Sequence, residues 1–542
     1  MKARIPLTAL ALLAVAAVAP GLALGADLRN APATPEVVLP GAVSASAARA
    51  DPRTWIVGVR AGSRAARRIA RAHGGRPIAG AAWLAPRSRA RALAAALRVR
   101  DLLEYAEPNR IGHRAQAPAP DPLSPQAAWR DFVVGGQVPP PVTLASPLIA
   151  VVDTQIDAAH PEIAGSNIRP GTGFPVSDDH GTATSTVAAA PANKVGMLGI
   201  WPGARVLGVT LPDGERITCA DSARGIAAAV KARAAVINMS YGSPSRCITE
   251  EQQIQRAVRA GAVPVAASGN EGELGSPLEY PASLAHVLTV GAIDADGEPT
   301  LFSNESAAVD LAAPGIGILT GVPATFDSDG AAHGLGFAYV NGTSFAAPMV
   351  SAAVAWVRAA RPQLSQGQAA QVVRLGARDV GRPGYEKATG FGVLDLGGAL
   401  GLPAPVDDPL EPNDDIRYVD GRFFAGAAPP LHNGRRPRSL TAVTDVAEDP
   451  IDVYRVRVRA GRRLRLALLP KLGDPDLFVF GANARSVSRQ RQVAGSSLSG
   501  SRIDRVSVRN RGRRTATFYV AVGFSSRKSR TLLNATYELR AR

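Results

Sequence analysis

Leu148-Ile149-Ala150-Val151-Val152-Asp153 is a run of five apolar residues, three of them β-branched, closed by a carboxylate. A run so short and apolar at every position predicts a strand buried on both faces, as in a parallel sheet covered by helices. Four further runs are largely apolar and read the same way: Val206 to Val209, Val236 to Met239, Val263 to Ala267 and Val287 to Val290. Between and after them lie Ala-rich segments with helical patterning, Thr182 to Ala190, Ser222 to Arg233, Glu250 to Ala260 and Phe345 to Ala360. The alternation, from Pro147 to about Gly401, predicts an α/β fold whose parallel sheet is sandwiched by helices.

The flanks differ. Lys2 and Arg4 precede an uncharged apolar run from Ile5 to about Ala23, followed by Ala23-Leu24-Gly25-Ala26. This is the pattern of a signal peptide (1–26), and no second uncharged run is long enough to cross a bilayer. A secreted or periplasmic protein without a stable membrane anchor is expected. Residues 27–116 form a leader. Within it Trp55 to Val59, Ala82 to Leu84 and Leu102 to Ala106 read as strands, and Arg64 to His73 and Arg89 to Leu97 as helices, an order suited to a small split βαβ unit. Pro-rich stretches at Ala115 to Pro125 and Leu402 to Pro412 read as linkers, which bounds a central domain at 117–404. Beyond it, in 405–542, the period drops to two, as where Tyr454, Val456 and Val458 alternate with Arg455, Arg457 and Arg459; a β-sandwich is the expectation.

At 46% hydrophobic and 20% charged residues the chain has enough apolar material for folded cores. Its net charge of +16 is carried by the flanks: residues 1–120 hold 18 basic and 6 acidic side chains, while residues 121–405 hold 17 and 25. The excess is mostly arginine and dispersed, which argues against a nucleic-acid partner. Cys219 and Cys247 are the two cysteines, and in an oxidising compartment such a pair is expected to be bridged.

Four polar residues stand where chemistry is usually assembled. Asp153 ends a buried strand, the edge at which α/β sheets build their sites, although a turn aspartate would look alike. His180, in Asp-Asp-His-Gly-Thr-Ala, starts a helical segment; Ser344, in Asn-Gly-Thr-Ser-Phe-Ala-Ala-Pro-Met, lies at the head of a long apolar one, where an N-cap serine is the alternative. Asn270 closes Val-Pro-Val-Ala-Ala-Ser-Gly-Asn after another buried strand, with a turn asparagine as the plainer reading. Pro348 sits within the helix that Ser344 opens, and propensity alone offers no reason for it.

These four segments, in the order acid, histidine, serine, resemble the subtilisin-like serine proteases, the subtilases. Ser240-Tyr241-Gly242, Tyr280-Pro281-Ala282, Asp310 to Gly315 and Gly390 to Asp395 extend the likeness. The resemblance implies a serine endopeptidase working through an acyl-enzyme, with Asp153, His180 and Ser344 as triad and Asn270 as oxyanion donor. It also implies that protein or peptide substrates pair with Ser240, Tyr241, Gly242, Ala267, Ser268 and Gly269. Residues 53–110 resemble the inhibitory propeptide of that family, so a zymogen cut between Arg110 and Asp121 is implied, with the propeptide as intramolecular inhibitor. Residues 407–541 resemble the prepeptidase C-terminal domain of secreted bacterial proteases. No cofactor is required for the chemistry, structural calcium is compatible with the resemblance without an assigned ligand set, no catalytic metal is implied, and a monomer is expected. Gln155 and Ala183 depart from the family's usual glycine and histidine. They leave open a second reading, a catalytically weak subtilase-fold binding protein.

Overall fold

The computed structural model describes residues 36–37, 50–60, 63–78, 82–110, 123, 128–212, 217–323, 336–408, 410–488, 492–496, 502–524 and 534–542. The expected signal peptide and the segment holding the expected propeptide cleavage lie outside these residues. The chain divides into two compact units, 1–117 and 118–542.

In the first unit, Ala50–Val59 pairs antiparallel with both Leu103–Arg110 and Ala82–Pro86. Helices Arg64–Ala72 and Arg87–Arg98 contribute Ala66, Ala70, Leu93 and Leu97 to a core closed by Trp55, Val57 and Trp83. Both helices and these three strands were legible in the sequence; the two-residue strands Glu36–Val37 and Arg76–Pro77 that complete a five-stranded sheet were not.

The second unit is built on seven parallel strands: β1 (Leu148–Asp153), β2 (Ile168–Arg169), β3 (Arg205–Thr210), β4 (Val236–Met239), β5 (Val263–Ala267), β6 (Leu288–Ile293) and β7 (Val309–Pro314), in the order 7-6-5-4-1-3-2. Successive side chains of a strand face opposite ways, so β1 feeds two cores. Ile149 and Val151 pack with helices α1 (His180–Ala189) and α4 (Thr343–Ala360), whereas Ala150 and Val152 pack with α2 (Cys219–Lys231) and α3 (Ile248–Arg259). Burial on both faces is why β1 carries no polar residue before its last position. Helix α4 is buried nearly all round, which its Ala-rich first four turns permit by letting backbones approach closely. The Cys219–Cys247 disulfide joins the heads of α2 and α3. Among the described residues no helix is long and apolar enough to cross a membrane.

After α5 (Gln366–Leu375) and a Pro-rich connection, two four-stranded sheets follow. One contains β8 (Arg438–Asp445) and the other β9 (Ile451–Val458), and their inner faces meet around Tyr454, Val456, Leu466, Leu468, Val520 and Tyr537. The arginines that alternate with them on β9 point away, Arg457 being exposed. The sandwich touches the parallel-sheet region through a buried cation: Arg374 of α5 reaches Asp310 of β7 at 3.2 Å and Asp445 of β8 at 3.3 Å.

Candidate active site

The order of the sheet reverses at β1: the chain first adds β2 and β3 on one side, then β4 to β7 on the other. Such a switch point leaves a crevice beyond the carboxyl ends of the strands. Asp153 is the last residue of β1, Ser240 follows β4 and Asn270 follows β5 by three residues. All three open onto this crevice because each strand ends there.

Asp153 is 3% exposed, and its carboxylate is fixed from three directions. The backbone N–H of Thr154 donates to Oδ1 at 2.7 Å, the hydroxyl of Thr184 donates to Oδ2 at 3.1 Å, and His180 Nδ1 lies 2.8 Å from Oδ1. An ionised carboxylate as acceptor places the proton of the imidazole on Nδ1, so Nε2 is the nitrogen with the free lone pair. His180 is the first residue of α1, and its own N–H is taken by Asp178 Oδ1 at 3.1 Å. Gly181 must follow it: a Cβ there would stand 2.2 Å from the carbonyl oxygen of Thr154. Burial works against the imidazolium, but the Asp153 carboxylate, with Asp178 and Asp179 behind it, prevails and raises the His180 pKa to about 9. The imidazole keeps 31% of its surface open to the crevice.

Ser344 is the second residue of α4, whose cap is Gly342 rather than the serine. Its hydroxyl donates to the carbonyl of Ser240 at 3.1 Å, and the next residue, Phe345, packs its ring 5.6 Å from the His180 ring. The imidazole and the hydroxyl therefore border the same stretch of crevice, although in this state the hydroxyl is turned to Ser240. Pro348 now has a physical reason. Its missing N–H would have bonded the carbonyl of Ser344; that carbonyl instead accepts the Ser240 hydroxyl at 2.7 Å. Asn238 Nδ2 donates to the same Ser240 hydroxyl at 2.9 Å and Ser351 of α4 donates to Asn238 Oδ1 at 2.9 Å, so a buried polar chain ties β4 to the serine's helix.

Asn270 is held through its acceptor: Oδ1 takes the N–H and the hydroxyl of Thr343, each at 2.9 Å. Its Nδ2 is left facing the turn at Gly342. Asn270 Nδ2 and the head of α4 thus border the turn at Gly342 next to Ser344, a setting that suits a developing anion. Ser240 and Gly242 prolong β4, Ala267 ends β5, and Ser268 donates to the carbonyl of Val290. Tyr241 turns its hydroxyl to Ser222 at 2.8 Å.

The two departures both have structural roles. Gln155 spans 3.0 Å to the carbonyl of Gly171 and accepts the Thr210 hydroxyl at 2.6 Å, which braces the end of β1 against β3. Ala183 is completely buried in the core beside α4. The sequence did not single out Thr154, Thr184, Asp178 or Thr343. Their partners are remote in sequence or depend on rotamer, and only the neighbouring motif residues marked the places.

Comparison with known proteins places the segment that carries these residues. The profile described as "Subtilase family" matches residues 145–392. Subtilisin BL of Lederbergia lenta is 36% identical over 228 residues, 41% of this chain and 79% of that protein. The thermophilic serine proteinase of Bacillus sp. (strain AK1) is 34% identical over 276 residues, 48% of this chain and 64% of that protein. Among solved structures, fervidolysin from Fervidobacterium pennivorans superposes with a TM-score of 0.47 at 18% identity, over 86% of each chain. A hydrogen-bonded acid and histidine beside a helix-head serine thus lie within a segment shared with subtilisins, and the chain belongs to the subtilase family as a subtilisin-like serine endopeptidase.

Proposed function

We propose that Ser344 is the nucleophile, His180 the general base and Asp153 its partner. The observation that carries this is the 2.8 Å contact of His180 Nδ1 with a carboxylate oxygen, which in the neutral imidazole leaves Nε2 free to accept a proton at the mouth of the crevice. The serine hydroxyl turns from the Ser240 carbonyl to Nε2, gives up its proton and attacks the peptide carbonyl carbon. The carbonyl oxygen becomes an anion between Asn270 Nδ2 and the N–H of Ser344. The proton on Nε2 then passes to the leaving amine as the C–N bond breaks, forming the acyl-enzyme. Water, deprotonated by the same nitrogen, releases the acid product and restores Ser344. Asp153 stays ionised and stabilises the imidazolium in both steps, while Thr184 and the N–H of Thr154 keep it from turning.

The substrate chain is extended and pairs with Ser240 to Gly242 on one side and Ala267 to Gly269 on the other. The protein is exported and made as a self-processing zymogen whose residues 53–110 are its intramolecular inhibitor until cut. Expressing the full precursor beside its Ser344→Ala form tests this. The parent alone shortens by about the length of the leader and hydrolyses a denatured protein. Equal processing of both, with no proteolysis by either, would refute the assignment.

A further inference from the structure

A buried carboxylate lies under the substrate cleft. Glu279 is 6% exposed, and its side chain fills the space between Gly242 and Gly269. A Cβ on Gly242 would meet Glu279 Oε2 at 2.7 Å, and one on Gly269, whose φ is +108°, would meet Glu279 Cγ at 2.8 Å. The paired strand-like contact between Ser243 and Tyr280 holds it there. Its carboxylate accepts no hydrogen bond from the described residues, whereas Glu271 close by is occupied with Asn270 N–H and Asn304. A substrate carbonyl between Ser344 and Asn270 directs the side chain on the acyl side of the scissile bond into this gap. Resting on the catalytic reading above, we propose that the enzyme cleaves after arginine or lysine, with Glu279 receiving the cation. Burial, with Glu271 adding to it, raises the Glu279 pKa to about 7, so the carboxylate is charged in the alkaline range where His180 is neutral.

Mature enzyme and its Glu279→Gln variant are assayed on peptide anilides that differ only in arginine, lysine or leucine before the scissile bond. The arginine-to-leucine ratio of kcat/KM is at least tenfold in the parent and falls at least tenfold in the variant. A ratio near one in the parent, or one unmoved in the variant, would overturn the specificity while leaving the triad intact. Hydrolysis of none of the three would instead count against the catalytic reading.

Discussion

Replacing Arg374 by methionine removes a buried cation while nearly preserving side-chain volume. The guanidinium is 2% exposed and lies 3.2 Å from Asp310 and 3.3 Å from Asp445, carboxylates that are each 4% exposed. Its loss leaves both without a counter-ion, for which about 3–5 kcal/mol is the usual destabilisation. Over a unit of this size, at roughly 2.1 cal/mol/K per residue, unfolding entropy is about 0.9 kcal/mol per degree, so melting should fall by roughly 3–6 °C. The dependence on pH has a definite sign. Burial already raises Asp310 to about 6 against the pull of Arg374, and losing that cation raises it further. The variant's native state then takes up protons more readily than its unfolded state, so the deficit is largest near pH 8 and narrows toward pH 5. Both proteins are melted in the Ser344→Ala background to prevent autolysis. A variant melting within a degree of its parent at pH 8, or a deficit that widens on acidification, would refute the ion-network account.

Asn270→Ala should lower kcat by about 10²–10³ with little change in KM, the loss known for the equivalent donor in subtilisin itself; steady-state kinetics showing a rise in KM alone would contradict it. Because the active imidazole is neutral and its pKa is raised to about 9, kcat/KM should climb with pH toward that value, and Asp178→Asn with Asp179→Asn should move the climb to lower pH. A pH profile unaltered by the pair would exclude their influence. Replacing Cys219 and Cys247 by alanine opens a loop of 28 residues' separation and should destabilise the unit by about 3–4 kcal/mol at 25 °C on the chain-entropy argument, read by denaturant unfolding with and without reductant.

What was legible in the sequence was what is local. Val236–Met239 and Val263–Ala267 are strands to the residue, because short, largely apolar runs buried on two faces admit few other readings. Asp153, His180, Asn270 and Ser344 stood out because each follows a strand or opens a helix, and the sheet brings those ends to one edge. Val309–Pro314 was recognised only as a family motif: alanines and a terminal proline lack the β-branched signature, and its place is set by pairing with β6. Glu279 was opaque for another reason: its meaning lies in which backbone it touches, that of Gly242 and Gly269 beyond two strand ends.

Pro348 bears on any attempt to make this protein hardier. Substituting alanine would suit an isolated helix better by about 3 kcal/mol and would look, on propensity alone, like an obvious improvement. It would also offer the carbonyl of Ser344 a rival donor within its own helix, in competition with the Ser240 hydroxyl that now holds it. Selection for heat tolerance and selection for turnover should therefore pull this one position in opposite directions.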